Sequence, residues 1–316
     1  MKTLVAVLCA LFVLPAAAQS YPSKPLKIFN PYSAGGPAEG LARVIANKIS
    51  PSLGQPIVIE SRGGAGGAIA TSTVAKSPND GYTLLLAHMG PMAIVPAVQK
   101  DINYELKDFE PITQLVSGPT LLVVRNDLPI HSVAEFIAYA KANPGKLTYG
   151  SIGVGSSTHL AGEMMAMMAG IDMVHVPFKG STQTLIEMMG GRISASFIGL
   201  SGVIEQVKAG QVRPLAVSTL RRSPSYPEFP AVSETLPGYE VNSWYGMMAP
   251  AGTPRPIIER LNREIVGALK SPEIAAWTKV NGFDAFGTTP EQFAAFVRAE
   301  QEKWARIVKA AKVQTN

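Results

Sequence analysis

The stretch Leu26-Lys27-Ile28-Phe29-Asn30, followed by Pro31-Tyr32-Ser33-Ala34-Gly35-Gly36-Pro37-Ala38-Glu39, reads as a short apolar strand, a glycine-rich loop and the opening of a helix. The helix continues with Leu41, Val44, Ile45 and Ile49 at helical spacing. The same pattern returns in a distant segment, with Leu147 to Tyr149 as strand, Gly150 to Ser157 as loop, and a helix opening at Thr158, His159 and Leu160. The first N–H groups of a helix have no intrahelical acceptor and lie at the positive end of its dipole. Each loop is therefore a natural seat for a carboxylate or phosphate, and two such loops facing one another would hold a dianion. The plainer reading of each is a strand-to-helix turn in which glycine supplies positive φ. Glu39 reads either as an acid complementing the helix dipole or as a ligand-facing, amine-binding group.

Outward from these junctions, apolar runs alternate with helical patterns. The runs are Ile57 to Glu60, Tyr82 to Ala87, Thr120 to Val124, Val174 to Pro177, Ala195 to Ile198 and Leu215 to Ser218. The alternation predicts an α/β fold with largely parallel sheets. Thr253 before Pro254 is a predicted N-cap, and a helix from Pro256 places Ile258, Leu261, Ile265 and Leu269 on one stripe. Thr289 before Pro290, with Gln292 following, predicts a capping box for a last helix that turns Phe293, Phe296 and Val297 inward.

Two passages read as crossings between lobes: Ser117-Gly118-Pro119, and Pro237-Gly238 through Tyr245. They divide the chain into domain 1, residues 19–118 plus 246–316, and domain 2, residues 119–245, with the ligand cleft between them. Two crossings make a hinge on which such lobes close.

Residues 1–18 combine Lys2, an apolar run from Leu4 to Leu14, and Ala16-Ala17-Ala18, the pattern of a cleavable export signal. Cys9, the single cysteine, lies inside it, so the mature chain is expected to carry no disulfide and no thiolate chemistry. The whole chain carries 28 basic and 23 acidic residues, and loss of Lys2 leaves a formal charge of +4. Without a dense Lys/Arg run, that mild basicity suits small anions better than nucleic acid.

Enzyme signatures are lacking: no Gly-x-Ser-x-Gly elbow, no His-Glu-x-x-His pair and no P-loop lysine. A serine hydrolase would have to pair Ser156 with His159, and nothing in the sequence supplies the group that orients the base. The loop Gly153-Val154-Gly155-Ser156-Ser157-Thr158 lacks the third glycine of a dinucleotide fingerprint, and Phe178-Lys179 stand where a ribose-binding acid belongs. Met164, Met165, Met167 and Met168 fall at helical spacing and read as core filling. The histidines at 88, 131, 159 and 175 form no close sequence pair, so no metal site is expected; His88 and His159 lie in candidate ligand loops and read equally as a solvated loop residue and an exposed first-turn residue, respectively.

Blocks spread along the chain carry a family likeness. Tyr21 to Pro25, Pro31 to Gly36, Leu41-Ala42-Arg43, Leu53 to Pro56, Arg62 with Gly64 to Gly67, Asp80 to Leu84, Lys107 to Phe109, His159 to Glu163 and Val176 to Gly180 resemble the Bug-type periplasmic receptors of tripartite tricarboxylate transporters. The resemblance implies a periplasmic binding protein-like fold of two lobes whose loops, one per lobe, bind a small organic carboxylate partly through ordered waters. It also implies a monomer without cofactor that hands its ligand to membrane transporter subunits. A periplasmic sensor signalling through a membrane sensor kinase uses the same pocket and stands as the alternative.

By position, Tyr32, Ser33, Ala34, Gly35, Gly36 and Glu39 form the first ligand loop, and Gly155, Ser156, Ser157, Thr158 and His159 the second. His88, Gly90 and Lys179 complete the candidate set. Three positions depart from the family pattern. Glu39 stands where an aspartate is usual, Ala87 to Pro91 replace small polar residues, and Ile198 replaces an aspartate after Phe197. Met89, Pro91 and Ile198 hint at a less polar wall that would admit an aromatic or branched acid.

Overall fold

The computed structural model describes residues 21–32, 34–99, 101–178, 180–223 and 226–311. The predicted export signal, Ser33 and Lys179 lie outside the described residues. The chain opens with β1 (Leu26–Asn30), α1 (Pro37–Leu53), β2 (Ile57–Ser61), α2 (Ala68–Ala75) and β3 (Thr83–His88), then a π-helical turn, Gly90–Ile94, and α3 (Val95–Val98). It continues through β4 (Phe109–Arg125), α4 (Val133–Ala142), β5 (Leu147–Ser151), α5 (Ser157–Ala169), β6 (Met173–Pro177), α6 (Ser181–Met189), β7 (Ala195–Gly199), α7 (Ile204–Lys208) and β8 (Val212–Val217). It closes with β9 (Asn242–Pro250), α8 (Arg255–Leu269), α9 (Pro272–Asn281), β10 (Asp284–Ala285) and α10 (Pro290–Ala311).

The fold is α/β, as the alternation of patterns predicts. Its strands form one curled mixed sheet in the order β2-β1-β3-β9-β4-β7-β5-β6, with β8 and β10 also pairing to β4. β1 lies parallel between β2 and β3, and β5 lies parallel between β6 and β7. Parallel strands bring their C-terminal loops to the same end, where ligand crevices form in open α/β sheets.

The middle of the sheet is antiparallel, contrary to the expectation of largely parallel sheets. β4 is a single strand from Phe109 to Arg125 and runs straight through the predicted crossing at Ser117-Gly118-Pro119. Its first part pairs antiparallel with β9 from Phe109 to Pro119, and its continuation pairs with β7 and β8. Gly118 serves a close approach, not a turn, because a Cβ there would stand 2.7 Å from the Gly282 carbonyl oxygen. Pro119 is the last β4 residue paired with β9 and Thr120 the first paired with β7, so β4 changes partners at the passage read as a crossing.

Helix ends follow local chemistry in most places. Thr289 N–H donates to Gln292 Oε1 at 2.9 Å and Gln292 N–H to Thr289 Oγ at 3.2 Å, the predicted capping box of α10. Thr253 does not cap α8: its hydroxyl donates to the Pro250 carbonyl at 2.7 Å, and Pro254 takes the N-cap position without a side-chain bond. The stripe Ile258, Leu261, Ile265 and Leu269 is buried as predicted.

One apolar cluster runs through both halves of the sheet, joining Leu85 and Ile94 to Leu160, Met165, Phe197, Trp244, Phe293 and Trp304. A second lies under α1 and α8, and a third packs Leu121, Ile198, Val203 and Val217. Met164 and Met165 belong to the shared core, whereas Met167 is exposed. Met89 and Ile198 are fully buried in these cores.

Candidate ligand site

Three loops converge at the C-terminal ends of β1, β2 and β3. A Cβ on Gly67 would stand 3.1 Å from both Pro31 Cβ and Pro91 Cγ. One on Gly90 would stand 3.1 Å from Tyr32 Oη and 3.6 Å from the Gly66 carbonyl. The π-helical turn that begins at Gly90 then reaches the other half of the sheet. From the Gly155 Cβ position, Val98 Cγ2 is 3.5 Å away and Ile94 Cγ2 is 4.0 Å. The segment Gly90–Val98 thus links the loop after β1 to the loop after β5, and α10 holds it in place through Gln301, whose Nε2 donates to the Met92 carbonyl at 2.7 Å.

The first loop is set by its own hydrogen bonds. Asn30 closes a turn on Tyr32, accepting its N–H at 3.2 Å and donating to its carbonyl at 3.2 Å. The Tyr32 hydroxyl bonds to His88 Nδ1, which also accepts the Gly90 N–H at 3.1 Å. His88 is buried, contrary to the solvated reading, and burial pushes its imidazole down to about 3, so it is neutral. Ala34 and Gly35 are exposed at the loop tip. Gly35 has φ of 85° and open space around its Cβ position, so backbone conformation alone requires glycine there. Its N–H donates to Glu39 Oε2 at 2.7 Å, and Glu39 Oε1 accepts from Arg43 Nε at 2.8 Å. Those two partners, the Gly35 amide first, hold the Glu39 carboxyl below its ordinary range. Glu39 is therefore folded back over the first turn of α1, where its charge complements the helix dipole. Gly36 is the N-cap and supplies no side chain.

The second loop is equally self-ordered. Ser156 is the N-cap of α5: its hydroxyl accepts the His159 N–H at 3.2 Å and donates to the Gly153 carbonyl at 2.6 Å. Thr158 Oγ accepts the Ile152 N–H at 3.0 Å and lies 3.0 Å from Ser156 Oγ. With the Ser156 proton directed to Gly153, the Thr158 proton goes to Ser156, so both hydroxyls shape the loop. Gly155, with φ of 76°, donates its N–H to His159 Nδ1 at 3.2 Å. The anion donors left at this loop are main-chain amides of the first turn of α5, Ser157 and Thr158, which have no intrahelical acceptor.

His159 is buried, contrary to the reading of an exposed first-turn residue, and it stacks on His175 with ring centroids 3.9 Å apart. Sequence spacing hid this pair because α5 and β6 bring it together. Burial, with His175 adding to it, pushes His159 down to about 3, and burial pushes His175 down to about 4. Tyr149 donates to Glu163 Oε1 at 2.5 Å beneath the pair, and Ser151 Oγ lies 2.6 Å from His175 Nε2. Among the described residues, no group of His, Cys, Asp or Glu is placed to hold a metal ion. The imidazole of His159 engages Gly155 and the Ser156 hydroxyl faces Gly153, so the two do not form a base and nucleophile.

Comparison with known proteins agrees with this architecture. Residues 41–313 match the profile of the tripartite tricarboxylate transporter family receptor. The chain is 34% identical to BugT of Bordetella pertussis over 298 residues, 93% of this chain and 91% of that protein. It is 34% identical over 300 residues to a protein from a tcbD-tcbE intergenic region of a Pseudomonas species, covering 94% and 89% of the two chains. Among solved structures, R. palustris Rpa4515 with adipate superposes with a TM-score of 0.86 at 35% identity, over 93% of this chain and 99% of that one. The periplasmic binding protein BugD gives 0.83 at 33% identity over 94% and 100%. MatC from Rhodopseudomonas palustris with bound malate gives 0.82 at 28% identity over 91% and 100%. On the match over residues 41–313 and the identity to full-length relatives, this chain belongs to the tripartite tricarboxylate transporter receptor family.

Proposed function

We propose that this protein is an exported periplasmic receptor that captures a small organic carboxylate between its two halves and passes it to the membrane subunits of a tripartite tricarboxylate-type transporter. One observation carries the reading: glycine-rich strand-to-helix loops from the two halves lie at the C-terminal ends of parallel strands and meet across the Gly90–Val98 segment. The helix N-terminus that follows each loop favours negative charge. The relatives solved with adipate and with malate support carboxylates as the ligand class.

The division into residues 19–118 plus 246–316 and residues 119–245 belongs to this proposal. A ligand touching a loop from each part favours the closed arrangement by its differential contacts. Calorimetric titration of the purified protein with mono-, di- and aromatic carboxylates tests the reading, together with mass spectrometry of any small molecule that copurifies. Saturable binding of at least one carboxylate class is expected. Binding of a neutral ligand and of no acid would defeat it.

A further inference from the structure

The second loop is held by two histidines from different elements. α5 carries His159 and β6 carries His175, and their rings stack with centroids 3.9 Å apart. Each ring secures a different glycine of the loop. His159 Nδ1 accepts the Gly155 N–H at 3.2 Å. His175 acts through Ser151, the last residue of β5, whose Oγ lies 2.6 Å from His175 Nε2 and accepts the Gly153 N–H at 3.1 Å. A contact of 2.6 Å matches an O–H donor, so the hydroxyl proton goes to Nε2 and the oxygen keeps its lone pairs for Gly153. Gly153 and Gly155 have φ of 128° and 76°, so the positive-φ residues of the loop are the two that the histidines fix.

Both bonds need uncharged rings. An imidazolium donates from both nitrogens and accepts nothing, so a proton on His159 would set two donors against each other at Gly155. A proton on His175 would turn the Ser151 hydroxyl away from it. Two charged rings 3.9 Å apart would also repel one another. The titratable groups facing the pair are Tyr149 on β5, with its ring 5.0 Å from that of His175, and Glu163 on α5. Glu163 Oε1 accepts the Tyr149 hydroxyl at 2.5 Å and lies 3.7 Å from His159 Nε2, so it favours the proton of the neutral ring on Nε2 and leaves Nδ1 to Gly155. Burial acts in the same direction on both rings.

We infer that His159 and His175 are positioning residues of the second ligand loop, acting as uncharged hydrogen-bond partners that fix its ligand-binding conformation and lend no charge to the ligand. The role rests on the receptor reading above, since ligand affinity is what the pair controls. His175 and Ser151 stand outside the candidate ligand residues, and His159 passes from a contact to a support. Histidines that met a carboxylate directly would do so as cations and tighten binding on acidification. The neutral pair predicts the opposite sign or none.

The test is calorimetry on the full protein with whichever of the mono-, di- and aromatic carboxylates titrated above binds tightest. His159→Leu removes the acceptor for Gly155 and should weaken binding by roughly tenfold or more, whereas His159→Asn, whose Oδ1 can stand where Nδ1 does, should recover most of that loss. Ser151→Ala and His175→Leu should each weaken binding by about threefold or more, and the double variant should be no weaker than the worse single one, because the two act along one path. The parent's affinity should hold or fall between about pH 7.5 and 5.5. Nitrogen-15 spectra of the parent's imidazoles should show both rings neutral at about pH 6, with His159 protonated on Nε2, before and after the carboxylate is added; this arm stands even where a leucine variant folds poorly. A charged ring in those spectra, an affinity that rises about threefold or more on acidification, His159→Asn as weak as His159→Leu, or leucine variants that bind like the parent would overturn the positioning role and leave the receptor reading standing. Binding of no acid at all by the parent would overturn both.

Discussion

His88 Nε2 donates to Ser243 Oγ across 3.0 Å and so joins the end of β3 to β9, the strand that brings the chain back from the second half of the sheet. The direction of the bond follows from the other ring nitrogen. Nδ1 accepts from the Gly90 N–H and the Tyr32 hydroxyl, so the proton of the neutral ring sits on Nε2. Ser243→Ala removes the acceptor and leaves a buried donor unpaired. The expected loss is about 1–3 kcal/mol in urea unfolding, with an unchanged denaturant slope. A variant as stable as the parent would mean that His88 takes the other tautomer.

Stability should fall as pH drops from about 6.5 toward 5, mostly above the range in which carboxylates of ordinary pKa titrate. His88 and His159 have folded values pushed from 6.5 to about 3 by burial. In this window the unfolded chain binds protons that the folded chain does not, so stability is fully present above pH 6.5 and is lost on acidification. At pH 5 each of these two rings should cost about 2 kcal/mol relative to pH 8. Glu39 and Glu234, whose folded values are lowered, lose their contributions only below the ordinary carboxylate range. Thermal melts from pH 8 to pH 4.5 check this, and His88→Gln should flatten the slope between pH 6.5 and 5. A melting temperature that is flat over that range sinks the prediction.

Much of the scaffold was legible in the sequence because it rests on local pattern. The strand Leu26–Asn30, the stripe on α8 and the Thr289–Gln292 capping box depend on neighbours a few residues apart. β4 was legible only in part: the run Thr120 to Val124 reads as strand, whereas the stretch from Phe109 to Pro119 is explained by its partners in β9 and, at Gly118, by the Gly282 carbonyl. The candidate site divides in the same way. Its two loops are readable from glycine spacing, whereas the burial of His88 and the stacking of His159 on His175 depend on elements that only the fold brings together. The filling of the Gly35 seat by Glu39 was within reach, because an acid at the third helical position is placed to bend back over the N-terminus.

Two glycines of the ligand region should respond to alanine in opposite ways. A Cβ on Gly162 would lie 2.2 Å from Tyr149 Cε2, on a ring pinned by Glu163, so Gly162→Ala should cost about 3 kcal/mol or more. Gly35 has free space but φ of 85°, so Gly35→Ala should cost only about 1–2 kcal/mol. Its main effect should instead be on ligand affinity, through the loop conformation. Denaturation and calorimetry on both variants separate the two. A Gly35→Ala protein that binds like the parent would remove the first loop from the site.

Glu300 ties α10 to the sheet: its Oε2 accepts from the indole N–H of Trp244 in β9 and of Trp304 in its own helix, each at 3.1 Å. Both indoles are fully buried, so each needs an acceptor, and one carboxylate oxygen serves both. Lys303 Nζ, 3.6 Å from Oε1, balances the charge at the rim. Glu300→Leu leaves two buried N–H groups unpaired and should cost about 2–4 kcal/mol, whereas Glu300→Gln keeps a carbonyl oxygen and should cost about half as much. The effect should reach the ligand site, because α10 also holds the Gly90–Ile94 turn through Gln301 and Met92. Urea unfolding of the two variants with and without bound carboxylate measures both terms. Equal stability of Glu300→Leu and the parent would show that the indoles find other acceptors, and the link from α10 to the site would then rest on Gln301 alone.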